Sequence, residues 1–141
     1  MKLTVEGLNS HYGPAHILFD IGFAVGEGEV VALLGRNGAG KSTLGYVLGG
    51  RPGYDATGGG VTFDGQDLLE LDPHERAAAG LFLGFQYPVE IPGISNLQFV
   101  REALNSQRRA RGEAPLSGGE FLKLARAQAE ALGMDVEMLK R

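Results

Sequence analysis

The stretch Glu29-Val-Val-Ala-Leu-Leu-Gly-Arg-Asn-Gly-Ala-Gly-Lys-Ser-Thr43 decides the reading of this chain. An apolar run, Val30 to Leu34, meets a glycine-rich turn, then Lys41 and Ser42. Gly35 to Ser42 fits G-x-x-x-x-G-K-[ST] at every fixed position, the pattern of a phosphate-binding P-loop. Gly35, Gly38 and Gly40 allow backbone angles that a Cβ would forbid. The N–H groups of Gly35, Arg36, Asn37, Gly38, Ala39, Gly40, Lys41, Ser42 and Thr43 can then turn towards an anion. Leu44 to Leu48 is helix-competent and would add the positive end of a helix dipole. Lys41 would meet the β- and γ-phosphates, and the Ser42 hydroxyl would ligate Mg²⁺.

The rest of the composition narrows the field. The chain has 141 residues, enough for one domain with a core, and a net charge of −4. That charge argues against broad polyanion binding, and no nucleic-acid partner is expected. There are no cysteines, so neither a disulfide nor a thiolate ligand is available. His11, His16 and His74 lack ligand spacing and read as unrelated surface or turn residues. The opening Met-Lys-Leu-Thr-Val-Glu alternates like a strand and does not read as a signal peptide, and no apolar run has membrane-spanning length. The chain reads as cytoplasmic.

Outward from the loop, Lys2–Leu8 is expected as a first strand and Asn9–Pro14 as a turn. Ile17–Phe19 and Ile21–Val25 follow as a second and a third strand, and Gly26–Gly28 turns into a buried strand over Val30–Leu34. Gly49–Gly53 ends the loop's helix. Gly58–Gly60 precedes a strand at Val61–Phe63, which turns back at Asp64-Gly65 towards Asp67–Leu69. Asp72 caps a helix, with Pro73 first and Glu75 as capping-box partner, and Gly80 closes it. Leu81–Phe85 is expected as a short buried strand ending in an extended loop, Gln86–Gly93. Helices follow over Asn96–Arg111 and Ser117–Leu132, then a short one from Val136, capped by Asp135. Arg101, Arg108, Arg109 and Arg111 read as a solvated helix face before a basic patch.

Tyr12-Gly13 precedes Lys41 by 29 residues, and Gln86 follows it by 45. With Gly35–Ser42, this spacing resembles the nucleotide-binding domain of ABC ATPases. The resemblance implies an α/β P-loop NTPase fold: an antiparallel β layer, a P-loop core, and part of a helical subdomain. It implies a nucleotide-binding core over residues 1–94, incomplete, and helical-subdomain residues over 95–141. Tyr12 would stack on adenine. Gln86 would touch Mg²⁺ and the attacking water, so that Lys41 and Gln86 serve catalysis and Ser42 and Gln86 hold the metal.

Two subfamilies share the resemblance. Residues 8–43 look like the ATPase subunits of branched-chain amino acid importers. From Gly49 onward the chain looks like the ATPase of the Suf iron–sulfur cluster assembly system. Val61–Leu69, Phe85-Gln-Tyr-Pro-Val-Glu-Ile-Pro-Gly-Ile-Ser95 and Glu102-Ala-Leu-Asn105 carry that likeness. It implies ATP and Mg²⁺ as ligands, head-to-tail dimers and Suf-type scaffold partners; the importer reading implies a membrane permease. A non-catalytic nucleotide-binding interaction module is the third reading.

Leu116-Ser-Gly-Gly-Glu120 imitates the ABC signature. It lies only 31 residues after Gln86, Phe121-Leu-Lys-Leu follows it, and no apolar strand ending in Asp-Glu comes later. A helix cap at Ser117 with Glu120 as its capping-box partner explains these residues. The resemblance therefore implies a chain that stops before the true signature, the Walker B aspartate, the catalytic glutamate and the switch histidine. ATP binding without appreciable hydrolysis, and an unpaired apolar edge at Val30–Leu34, are the expected consequences.

Overall fold

The structure, a computed structural model, describes residues 2–141. They form two compact units that divide between Leu83 and Gly84, on the N-terminal side of the 94/95 division read from sequence.

The first unit is built on an antiparallel sheet in the order β2-β1-β3-β4. Its strands are β1 (Leu3–Tyr12), β2 (Ala15–Val25), β3 (Tyr54–Phe63) and β4 (Gln66–Asp67). Helix α1 (Lys41–Gly49) contributes Leu44 and Val47 to the core. They join Val5, Leu8, Leu18, Val61, Phe63 and Leu68 in one buried cluster. The two-residue turn Asp64-Gly65 has φ of 47° and 80°, the doubly positive geometry that matches the twist of a hairpin.

Several strand expectations need correction. Asn9–Tyr12 is strand, and the turn shrinks to Gly13-Pro14. Ile17–Phe19 and Ile21–Val25 form one strand, β2, bent where Asp20 takes φ 47°. Gly58–Gly60 lies inside β3, since β1 bulges between Glu6 and Asn9 where β3 crosses it. Gly59 has φ +83°, and a Cβ there would stand 2.2 Å from the Gly7 carbonyl oxygen, so only glycine fits.

Val30–Leu34 is not a strand. Val30 is 96% exposed and Leu34 90%. A continuous apolar strand is stable only between neighbours that satisfy its backbone and cover both faces. The four paired strands all lie elsewhere, and none pairs with this segment. Leu81–Phe85 fails likewise: Leu81 packs against the core and Leu83 lies against α1 near Gly45, while Phe82 and Phe85 face out with no ladder.

Helix α2 (Pro73–Ala79) has the anticipated Asp72–Glu75 capping box and Gly80 in the left-handed conformation. The second unit holds α3 (Asn96–Ala110), α4 (Gly118–Ala131) and a 3-10 segment, Val136–Lys140. Buried Asn105 pins α3 to the start of α4: Leu116 N–H donates to its Oδ1 at 2.8 Å, and its Nδ2 donates to the Leu116 carbonyl at 3.3 Å. The arginine face is neutralised locally, Arg109 pairing with Glu102 and both Arg108 and Arg111 with Glu113.

Candidate nucleotide-binding site

The phosphate loop is defined by its backbone. Gly38 and Gly40 have φ of 85° and 99°, so glycine is required at both. A Cβ on Gly40 would also stand 2.9 Å from Leu18 Cδ2, which lets the start of α1 settle directly on β2. Gly40 caps α1 without a side chain, so no side-chain acceptor takes the N–H groups of the first turn. Ser42 is exposed in that turn. The Lys41 ammonium folds over the loop and donates to the carbonyls of Gly35 at 2.6 Å and Arg36 at 2.8 Å.

The arrangement fits an anion. Uncapped N–H groups and an ammonium converge at one helix start, and the ammonium's present partners are neutral carbonyls that an anionic oxygen would replace with gain. Ser42 adds an oxygen ligand of the kind Mg²⁺ prefers.

The other end of α1 is held firmly. Gly50 closes the helix at φ 80°. Buried Arg76, from α2, donates to the last carbonyls of α1, Val47 at 2.8 Å and Leu48 at 3.0 Å, and to Leu71 at 2.8 Å. Burial lowers the Arg76 pKa from its ordinary value, opposed by the charges of Asp67 and Asp72. A guanidinium still stays ionised, so these carbonyls keep a full positive partner. The sequence reading missed Arg76; the signal was an arginine amid the alanines of α2, where a solvated residue is the default.

Tyr12 ends β1, opposite Ala15 on one side and Tyr54 on the other. Its ring is 53% exposed and lies 4.9 Å from that of Tyr54. Tyr12 and the phosphate loop thus belong to one compact unit, whereas Gln86, exposed in the loop before α3, belongs to the second. His11 and His16 meet across the β1–β2 hairpin, centroids 4.3 Å apart, although the sequence reading held them to be unrelated. Ser117 caps α4: Glu120 N–H donates to Ser117 Oγ, and Ser117 N–H to the Glu120 carboxylate. The signature-like residues are thus occupied in a capping box.

Among the described residues, no helix is long and apolar enough to cross a membrane. Residues 18–138 match the family described as ABC transporter. The chain is 44% identical over 139 residues to the "Probable ATP-dependent transporter slr0075" of Synechocystis, covering 99% of this chain and 54% of that protein. It is equally similar, 44% over 139 residues, to the "Probable ATP-dependent transporter SufC" of Escherichia coli, covering 56% of it. The likeness therefore includes the N-terminal third, and the chain spans about half the length of the curated relatives it matches. A solved nucleotide-free ATP-binding cassette of an ABC transporter superposes with a TM-score of 0.73 at 23% identity, covering 99% of this chain and 56% of that one. A second ATP-binding cassette gives 0.73 at 26% identity, covering all of this chain and 57% of that one. The glycine loop, the helix that it opens and the antiparallel sheet beneath are those of an ATP-binding cassette, and the chain belongs to the ABC transporter family.

Proposed function

We propose that these residues form the ATP-holding part of a Suf-type ABC ATPase of iron–sulfur cluster assembly, with a soluble Suf-type scaffold as partner. The observation that carries the reading is the uncapped start of α1 with the Lys41 ammonium folded over it. The likeness to a protein named SufC along nearly the whole chain supports the subfamily and does not favour the importer reading.

On binding, Lys41 leaves the Gly35 and Arg36 carbonyls for the β- and γ-phosphate oxygens, and the first-turn N–H groups of α1 hold the phosphates in register. Tyr12 gives the adenine a stacking face. Ser42 is the residue of this unit that would hold Mg²⁺, which supplies charge neutralisation when bound. These groups grip and orient the nucleotide; none of them is a carboxylate that could activate water, so Mg–ATP binding with little turnover is expected of them.

Calorimetric titration of the 141-residue chain tests this. Lys41→Ala is expected to weaken Mg–ATP binding about tenfold or more, the worth of a charged hydrogen bond, with the melting midpoint of the free chain unchanged. Phosphate release at the rate of a complete ATPase, abolished by Lys41→Ala, would sink the assignment.

A further inference from the structure

Three of the chain's four tyrosines form a ladder. Tyr12, at the end of β1, lies 4.9 Å from Tyr54 at the start of β3, and Tyr54 lies 5.1 Å from Tyr46 on α1. The Arg51 guanidinium closes the far end, 4.6 Å from the Tyr46 ring and 5.7 Å from that of Tyr54. The edge of Tyr12 is also fixed. Gly53 has φ +91°, and a Cβ on it would stand 3.1 Å from Tyr12 Cε2, so the backbone before β3 runs tight against that ring.

A half-exposed tyrosine at a strand end is ordinarily free to change rotamer. A base stacks well only on a ring whose plane is already set, because ordering a loose ring on binding subtracts from affinity. Tyr54 sits directly across from Tyr12 in the β1–β3 register, where a cross-strand aromatic pair restrains both partners. Tyr46 lies on the same helix as Lys41 and Ser42. The ladder thus joins the surface that would receive the base to the helix that would receive the phosphates.

Resting on the reading of Tyr12 and the phosphate loop as one nucleotide site, we propose that Tyr54 is a positioning residue. It holds the Tyr12 ring in its base-stacking plane and, through Tyr46, at a set separation from the phosphate grip. Its ligand class is a purine nucleoside triphosphate bound at both ends, as distinct from a polyphosphate bound at one.

The test compares Mg–ATP with Mg–tripolyphosphate, which lacks base and ribose, by equilibrium titration. Tyr54→Leu is expected to weaken ATP about fivefold and to change tripolyphosphate less than about twofold. Tyr54→Phe, which keeps the ring, restores ATP affinity to within about twofold. A parallel fall for both ligands overturns the proposal, since it marks general damage to the site; so does unchanged ATP affinity in Tyr54→Leu. Two controls separate this from the underlying reading. Tyr12→Ala must weaken ATP alone and Lys41→Ala both ligands; failure of either overturns the nucleotide site and the proposal with it. Loss of ATP affinity in Tyr12→Ala but not in Tyr54→Leu overturns the proposal only. Should Tyr54→Leu lose its cooperative melt, ring NMR signals of the unaltered chain decide. ATP, but not tripolyphosphate, must shift Tyr54 and Tyr46 together with Tyr12, and a shift confined to Tyr12 overturns the ladder.

Discussion

Gly59 shows how much of this sheet hangs on one missing methyl. β1 bulges at Gly7, whose φ is 58°, and β3 passes so close that Gly59 sits against the Gly7 carbonyl. Gly59→Ala adds a backbone clash at 2.2 Å and strain at φ +83°, so the strands must separate. The expected loss is about 3 kcal/mol or more in a urea melt. Gly60→Ala, with nothing within 4 Å of the added carbon, is the control and changes stability by less than about 1 kcal/mol. Equal effects at the two positions would refute this account. The sequence displayed the glycine run without saying that it lay inside a strand, because a bulge is defined by the partner strand, far away along the chain. Tyr12 is similar. Its residue type and distance from Lys41 were legible, whereas its contacts with Gly53 and Tyr54 arise only when β1 and β3 pair.

Elements with local causes were the legible ones. The helix starts at Asp72, Ser95 and Ser117 each carry a full capping box, written within four consecutive residues. The box at Ser117 has a pH signature. Hydrogen bonds from the Ser117 backbone and side chain hold the Glu120 carboxyl below its ordinary range, helped by Arg108 and only partly opposed by desolvation. A carboxyl depressed in the fold stabilises it above its ordinary pKa, and that contribution is lost as pH falls through the depressed folded value. Acidification from about pH 6 to about pH 3 should therefore fray the first turn of α4, read as lower amide protection factors at Glu120 and Phe121 once the slower intrinsic exchange at low pH is divided out. Glu120→Gln should remove that pH dependence. A slope that persists in Glu120→Gln would assign it to another group. The elements that were misread, Val30–Leu34 and Leu81–Phe85, have strand composition but no strand partners, and composition alone does not bring a partner.

At the scale of the molecule, the phosphate loop stands between a well-packed half and an uncovered one. Behind it, α1 sits on the sheet and Arg76 fixes its end. Before it runs the exposed apolar segment Val30–Leu34. Such a segment favours association of chains through edge pairing and apolar contact. Val30→Lys combined with Leu34→Ser should lower light scattering at high protein concentration and leave stability within about 1 kcal/mol, since neither side chain is buried. Undiminished scattering would direct attention to the exposed Phe82, Phe85 and Tyr87 instead. By itself the sequence determined the phosphate loop, the helix caps, the Asp64-Gly65 turn and the family, because each rests on residues a few positions apart or on fixed spacing. Only the tertiary structure decided that the apolar run before the loop lies open and that Gly59 must lack a side chain. It alone brought Arg76 to the end of α1 and Tyr54 beside Tyr12. Those outcomes depend on which segments pair and pack across the fold, and pairing is a property of surfaces brought together, beyond what either segment carries alone.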